Sequence, residues 1–166
     1  MIYKTVENNQ EIVEILDLQR INLLPNLKPD DLMQGFLTVS HTEELLTKMN
    51  AAEPSIIAKQ ENTLAGFCLA MTKDFRNDIP ILIPMFDLFD ELTYHKSLSE
   101  CNYIVVGQVC VAQKFRGKGI FDGMYEAFKD QYKSKYDFAI TEIAKRNTRS
   151  FQAHLRVGFP SAEAEA

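Results

Sequence analysis

Residues 1–6 alternate apolar and polar in the manner of a strand, and the pattern then shifts to a helical spacing. Ile12, Ile15, Leu16, Leu23 and Leu24 fall largely on one face of a helix predicted over 11–24, which Pro25 ends. A turn at Pro29, Asp30 and Asp31 leads into a short extended piece over 35–39. A second helix runs from 41 to about 50, with Thr42 placed as its N-cap and Leu45, Leu46 and Met49 facing inward. Two β-rich runs, 55–60 and 64–72, joined by the polar turn Glu61, Asn62 and Thr63, predict an antiparallel hairpin. Ala65 and Gly66 inside the second run predict a bulge or a close approach of another backbone.

The stretch 81–92 is too apolar for a free loop and predicts a short helix, read as an added core element, a lid over a substrate site, or a dimer surface. An apolar strand over 103–111 follows. Then comes a helix on which Ile120, Met124 and Phe128, with Phe121 and Tyr125, recur every three or four residues. A strand over 138–144 and a helix over 148–157 complete a mixed α/β order, β-α-α-β-β-(α)-β-α-β-α, without repeats or low-complexity linkers.

The 166 residues make one domain, 1–166, with a single substantial core. Eighteen Lys plus Arg against 23 Asp plus Glu give a net charge of -5, which excludes a general polyanion binder; no nucleic-acid partner is expected. The N-terminus enters a strand pattern directly and no apolar run approaches a membrane span, so a cytoplasmic protein without a membrane partner is expected. Cys68, Cys101 and Cys110 are odd in number and lack ligand spacing, and His41, His95 and His154 are scattered. Neither a disulfide nor a metal is expected.

The candidate chemistry lies between the 103–111 strand and the helix after it. Gly117 and Gly119 let the backbone turn tightly and present N–H groups to an anion, with the free donors and positive end of the next helix behind them. Arg116 and Lys118 bring full charges. The plain alternative is a strand-to-helix turn with solvated basic residues. The P-loop pattern is not met, because Gly119 rather than Ser or Thr follows Lys118 and the upstream glycine is missing. A dinucleotide fingerprint fits poorly, since its third glycine would fall on Asp122; ATP or NAD binding is the remote reading.

Read together, Gln113-x-x-Arg116-Gly117-x-Gly119-Ile120 and its preceding strand resemble the acetyl-CoA pyrophosphate loop of the GCN5-related N-acetyltransferases (GNAT). A second block, from Asn147 through Ser150, Phe151 and His154 to Gly158 and Phe159, resembles that family's later segment in order and distance. The resemblance spans about a third of the chain. It implies a GNAT-like acyl-CoA N-acyltransferase fold: a central mixed β-sheet flanked by helices. It also implies acetyl-CoA as co-substrate and an amine as acceptor. Backbone groups of Val109, Cys110 and Val111 would pair with the pantetheine arm, and Arg116, Gly117, Lys118, Gly119 and Ile120 would cradle the pyrophosphate. Asn147 would contact the cofactor arm; it reads equally as a helix N-cap.

The family's usual tyrosine is replaced by His154, which sits with Ser150 and Phe151 on adjoining helical positions. It is the candidate leaving-group acid, against a structural or exposed histidine. Glu142 matches the position of a glutamate that helps deprotonate the amine in some members, against an outward or water-ordering role. After Phe159 the chain shows no strand pattern, so the C-terminal closing strands are expected to be shortened or absent, and an uncovered sheet edge predicts a homodimer. Two functions follow: an N-acetyltransferase acting on a primary amine of a small molecule or protein, or a non-catalytic acyl-CoA-binding or regulatory module of the same fold.

Overall fold

The structure, a computed structural model, describes residues 1–94 and 96–160. His95 and residues 161–166 lie outside the described residues, and with the latter the expectation of a shortened C-terminal edge.

The chain runs β1 (Ile2–Thr5), α1 (Asn9–Asn22), α2 (Glu43–Ala52), β2 (Ile56–Gln60), β3 (Thr63–Met71), α3 (Ile83–Glu91), β4 (Thr93–Tyr94), β5 (Lys96–Ser97), β6 (Tyr103–Val111), α4 (Ile120–Tyr132), β7 (Phe138–Ile140) and α5 (Thr148–Arg156). Five strands form one mixed sheet in the order β1-β2-β3-β6-β7, with β6 and β7 parallel and the other pairs antiparallel. The β4–β5 pair is a separate small ribbon.

Local chemistry sets most of the boundaries. Asn8 caps α1 by accepting from the Glu11 N–H at 2.9 Å, and Thr42 caps α2 by accepting from the Leu45 N–H at 3.1 Å. The first helix ends two residues earlier than its apolar spacing predicts. Leu23 turns extended ahead of Pro25, and its bridge to Leu37 is all that forms of the extended piece expected over 35–39. In the β2–β3 hairpin Ala65 is the extra residue of a bulge opposite Ala58 and Lys59. A Cβ on Gly66 would stand 2.7 Å from the Cys110 carbonyl oxygen, so the bulge and the close approach are both present.

The sheet separates two apolar layers. On one face Ile12, Ile15, Leu46 and Met49 of α1 and α2 pack with Phe67, Leu69 and Val105, and α3 joins them through Met85, Phe86 and Phe89. The 81–92 segment is therefore a core helix, with Phe89 edge-on to Tyr103 at 6.0 Å between ring centroids. On the other face Ile120, Met124, Tyr125, Phe128 and Tyr132 of α4 cover Ile56, Ala70, Ile104 and Val106.

Candidate active site

The site begins at a fault in β6. Cys68 pairs with Val109 and Ala70 with Val106, so the single residue Leu69 faces both Gly107 and Gln108. This bulge inverts the alternation: Val105 and Cys110 pack in the first apolar layer, whereas Ile104, Val106, Val109 and Val111 belong to the second. The parallel ladder to β7 covers only Tyr103 to Val105. At Val106 its carbonyl accepts instead from the Thr141 hydroxyl at 2.9 Å. The strand expected over 138–144 therefore stops at Ile140, because the bulged partner curves away from it. Beyond Val106 no strand among the described residues pairs with the second edge of β6, which is open there.

A cavity of about 380 Å³ occupies this opening. Its wall takes in Val109, Cys110, Val111, Arg116, Gly117, Gly119, Ile120 and Asn147; Lys118, whose ammonium lies 5.7 Å from the centre of the Phe115 ring, is not part of it. Gly117 and Gly119 have φ of +75° and +78°, a left-handed conformation that strains any other residue, and Gly119 is the N-cap of α4 without a capping side chain. The N–H groups of the first turn of α4 thus stand at the cavity.

Arg116 does something the sequence did not suggest. Its Nε donates to the Val111 carbonyl at 3.0 Å and its Nη2 to Asn22 Oδ1 at 2.9 Å, while Asn22 Nδ2 donates to the Leu18 carbonyl. The guanidinium therefore ties the loop to the end of α1. Cys110 is buried and its thiol pKa is pushed up to about 12 by burial, an effect Arg116 partly offsets, so it is a neutral wall group.

Helix α5 and the segment before α2 close the other side. Asn147 stands at the N-cap position of α5, yet its Nδ2 donates to the Phe36 carbonyl at 3.1 Å, so the expected side-chain cap is not made. Its Oδ1 is buried without a partner, and an unpaired buried acceptor is costly. Arg149, Ser150, Ala153 and Arg156 also line the cavity; Arg149, Ala153 and Arg156 follow the i, i+4, i+7 spacing of one helix face. Arg156 pairs with Asp122 in the first turn of α4.

His154 is buried and does not line the cavity. Its Nδ1 lies 2.7 Å from the Ser150 carbonyl, which can only accept, so the ring proton is on Nδ1 and Nε2 accepts from the Tyr125 hydroxyl at 2.6 Å. Burial lowers its pKa, more than the Ser150 carbonyl raises it, and the imidazole is neutral. Its polar route to the cavity is the Ser150 hydroxyl, 3.4 Å from Nδ1. Glu142 lies just past the end of β7, outside the cavity wall; its carboxyl pKa is raised by partial burial although the residue is largely exposed.

A second cavity of about 290 Å³ adjoins the first at Phe36, Asn147 and Arg149, and Leu24, Leu32, Arg146 and Thr148 complete its wall. Among solved structures, the chain is similar to a ribosomal-protein-alanine N-acetyltransferase from Brucella melitensis biovar Abortus 2308, with a TM-score of 0.63, 12% identity, and coverage of 100% of this chain and 97% of that one. It is also similar to the aminoglycoside acetyltransferase AAC(6')-Iy in complex with the bisubstrate analogue CoA-S-monomethyl-acetylneamine, with a TM-score of 0.65, 17% identity, and coverage of 99% and 94%.

The chain has the GNAT fold.

In sequence no protein-family profile and no curated protein matches it. The GNAT fold explains why the two motif blocks, which end at Ile120 and begin at Asn147, meet: the loop at the start of α4 and the Asn147 end of α5 flank the same open edge of β6. Sequence reasoning missed Asn22, Gly35, Phe36, Arg149 and Arg156. The face formed by Arg149, Ala153 and Arg156 was legible from its spacing, whereas Asn22 and Phe36 reach the cavity only through tertiary packing. Among the described residues no group of His, Cys, Asp and Glu could hold a metal, and no helix is long and apolar enough to cross a membrane.

Proposed function

We propose that the chain is an acetyl-CoA-dependent N-acetyltransferase acting on a primary amine. The observation that carries this reading is the convergence of the open β6 edge, the left-handed glycines before α4 and the unpaired Asn147 Oδ1 on one cavity.

In this reading the N–H groups at the start of α4 take the pyrophosphate, with Arg156 neutralising Asp122 so that its carboxylate does not repel the anion. The pantetheine arm lies along Val109 to Val111, and Asn147 Oδ1 accepts from one of its amide N–H groups. A backbone N–H of that strand polarises the thioester carbonyl. The neutral amine nitrogen attacks the carbonyl carbon, the C–N bond forms, and the C–S bond breaks as the tetrahedral intermediate collapses. The amine loses one proton and the leaving thiolate gains one. Glu142, with its raised pKa, is the candidate to receive the first through solvent. His154 acts on the second through Ser150 rather than by touching sulfur, and is a positioning residue.

Calorimetric titration with acetyl-CoA tests the reading, with ATP and NAD as controls. Selective saturable binding is expected, and Gly119→Glu should weaken it by about 100-fold, because the substitution adds strain and a negative charge at the anion site. Equal affinity in that variant would dismiss the loop. A non-catalytic acyl-CoA-binding module is the second reading, favoured by the engagement of both His154 nitrogens away from the cavity. Tight binding without thiol release across a broad amine panel would select it.

A further inference from the structure

Packing does not hold the loop that carries Gly117 and Gly119. A Cβ added at either glycine would meet nothing within 4 Å, and both residues are exposed. Lys118 between them contributes a contact with the Phe115 ring at 5.7 Å, which is weak at an exposed position. After Gly119 the chain is fixed by α4, whose first residue, Ile120, is buried. Before Gly117 it is fixed by Arg116, whose side chain is bound at two points. The left-handed backbone of the two glycines is therefore set from the two ends of the loop.

We infer that Asn22, the last residue of α1, is a positioning residue of the anion site and acts through Arg116. Asn22 is buried, and three of its polar groups are engaged. Its carbonyl is one of those that a helix end leaves free, and it accepts the Leu37 N–H at 2.9 Å. Its Nδ2 returns to the Leu18 carbonyl at 2.9 Å, which directs Oδ1 to Arg116 Nη2, also at 2.9 Å. A short amide does both; a carboxylate lacks the donor, and an aliphatic chain lacks donor and acceptor alike. With Nε on the Val111 carbonyl and Nη2 on Asn22, the plane of the guanidinium is fixed in the cavity wall.

Asn22 also joins the loop to the wall that faces it. Leu37, held through its N–H by Asn22, lines the same cavity as Asn22 and Arg116. One residue thus sets how the anion loop and the 35–37 segment stand to each other. Charge at position 116 does not replace this arrangement, because a lysine keeps the cation but not the planar fork that reaches two acceptors at once. That the anion is the pyrophosphate of acetyl-CoA rests on the proposed function; the clamp itself does not.

Nitrogen relaxation by NMR on the free full chain reads the clamp without any ligand, and calorimetry with acetyl-CoA reads its consequence. In Asn22→Leu and in Arg116→Lys, the backbone order parameters of residues 117–119 should fall well below the roughly 0.85 of rigid backbone, while those of residues 124–128 hold. Acetyl-CoA should bind both variants about tenfold more weakly, the scale of one hydrogen bond to a charged group. The double variant should be no weaker than the weaker single one, because both changes cut the same link. Asn22→Asp still accepts from the guanidinium and should keep the loop rigid. Unchanged order parameters in Asn22→Leu, or losses of affinity that add in the double variant, would overturn the inference. If acetyl-CoA does not bind the wild type, the proposed function fails by itself. Loosening of the loop in Asn22→Leu and Arg116→Lys would then still uphold the clamp, and its absence would end it.

Discussion

The two halves of β6 serve opposite ends. Tyr103 to Val106 is buried; β3 pairs with it at Val105 and Val106, and β7 covers Tyr103 to Val105 on the other edge. Gly107 to Val111, which carries the polar Gln108, has among the described residues a strand neighbour on one side, and its exposure is intermediate except at Cys110. In place of a second strand it has side chains. Gln108 donates to the Val39 carbonyl and accepts from Gln19 Nε2 at 2.7 Å; the same Gln19 nitrogen bonds His41 Nδ1 at 2.7 Å, and the His41 N–H donates to Gln19 Oε1 at 2.9 Å. One half of the strand is held by a ladder and a core, the other by a small polar network that leaves an edge open. Stability and binding should therefore separate along a single strand.

Cutting into the closed half should give the largest effect. Ile104 is 1% exposed, and Ile104→Ala should cost about 2–5 kcal/mol of folding stability through lost burial and the cavity left behind. Urea unfolding would measure it, with acetyl-CoA affinity of the folded protein expected to be unchanged. A loss of affinity without a loss of stability would break the comparison.

Acid should act through the polar network of the open half. Burial lowers the His41 pKa to about 4, whereas the unfolded chain titrates near 6.5. Between these values the unfolded state binds the proton and the folded state does not, so stability is full above pH 6.5 and falls as pH drops toward 4. The loss is on the order of 3 kcal/mol at 1.36 kcal/mol per pKa unit. His154, also lowered by burial, adds to it in the same direction. Unfolding at pH 7 and pH 4.5, compared between wild type and His41→Gln, should show a smaller acid loss in the variant. An identical slope would remove His41 from the account.

The smallest expected effect concerns His154. His154→Phe leaves the buried Tyr125 hydroxyl without its acceptor and should cost about 1–3 kcal/mol. Because the imidazole is outside the cavity wall, kcat should fall modestly and KM for acetyl-CoA should hold. A collapse of kcat by orders of magnitude with full stability would place His154 at the reacting atoms instead.

The legible and illegible parts of this chain follow the same division. The hairpin, its bulge at Ala65 and Gly66, and the Thr42 cap of the second helix were readable because their causes are local: a turn, a missing side chain, a hydroxyl three residues ahead of an amide. The loop was readable because left-handed backbone needs glycine. The bulge at Gly107 and Gln108 was not read, although a glycine inside an apolar run is a bulge signal, and the point where the partner strand leaves is set by tertiary packing. Arg116 was read as a charge for an anion, and only the placement of Asn22 at the end of α1 shows where its guanidinium goes. The His154 partners were hidden for the same reason, because Tyr125 lies on a different helix.

The bond from Arg116 to Asn22 joins residues 94 apart in the chain. Contacts of such separation form late, after the entropy of closing the intervening chain has been overcome. A peptide of residues 103–132 would carry every letter of the glycine motif together with its strand and helix, and still lack the anchor that shapes the loop. On the proposed function, recognition of the anion is a property of the finished topology, and a ligand that binds there should protect the first helix from proteolysis as well as the loop it touches.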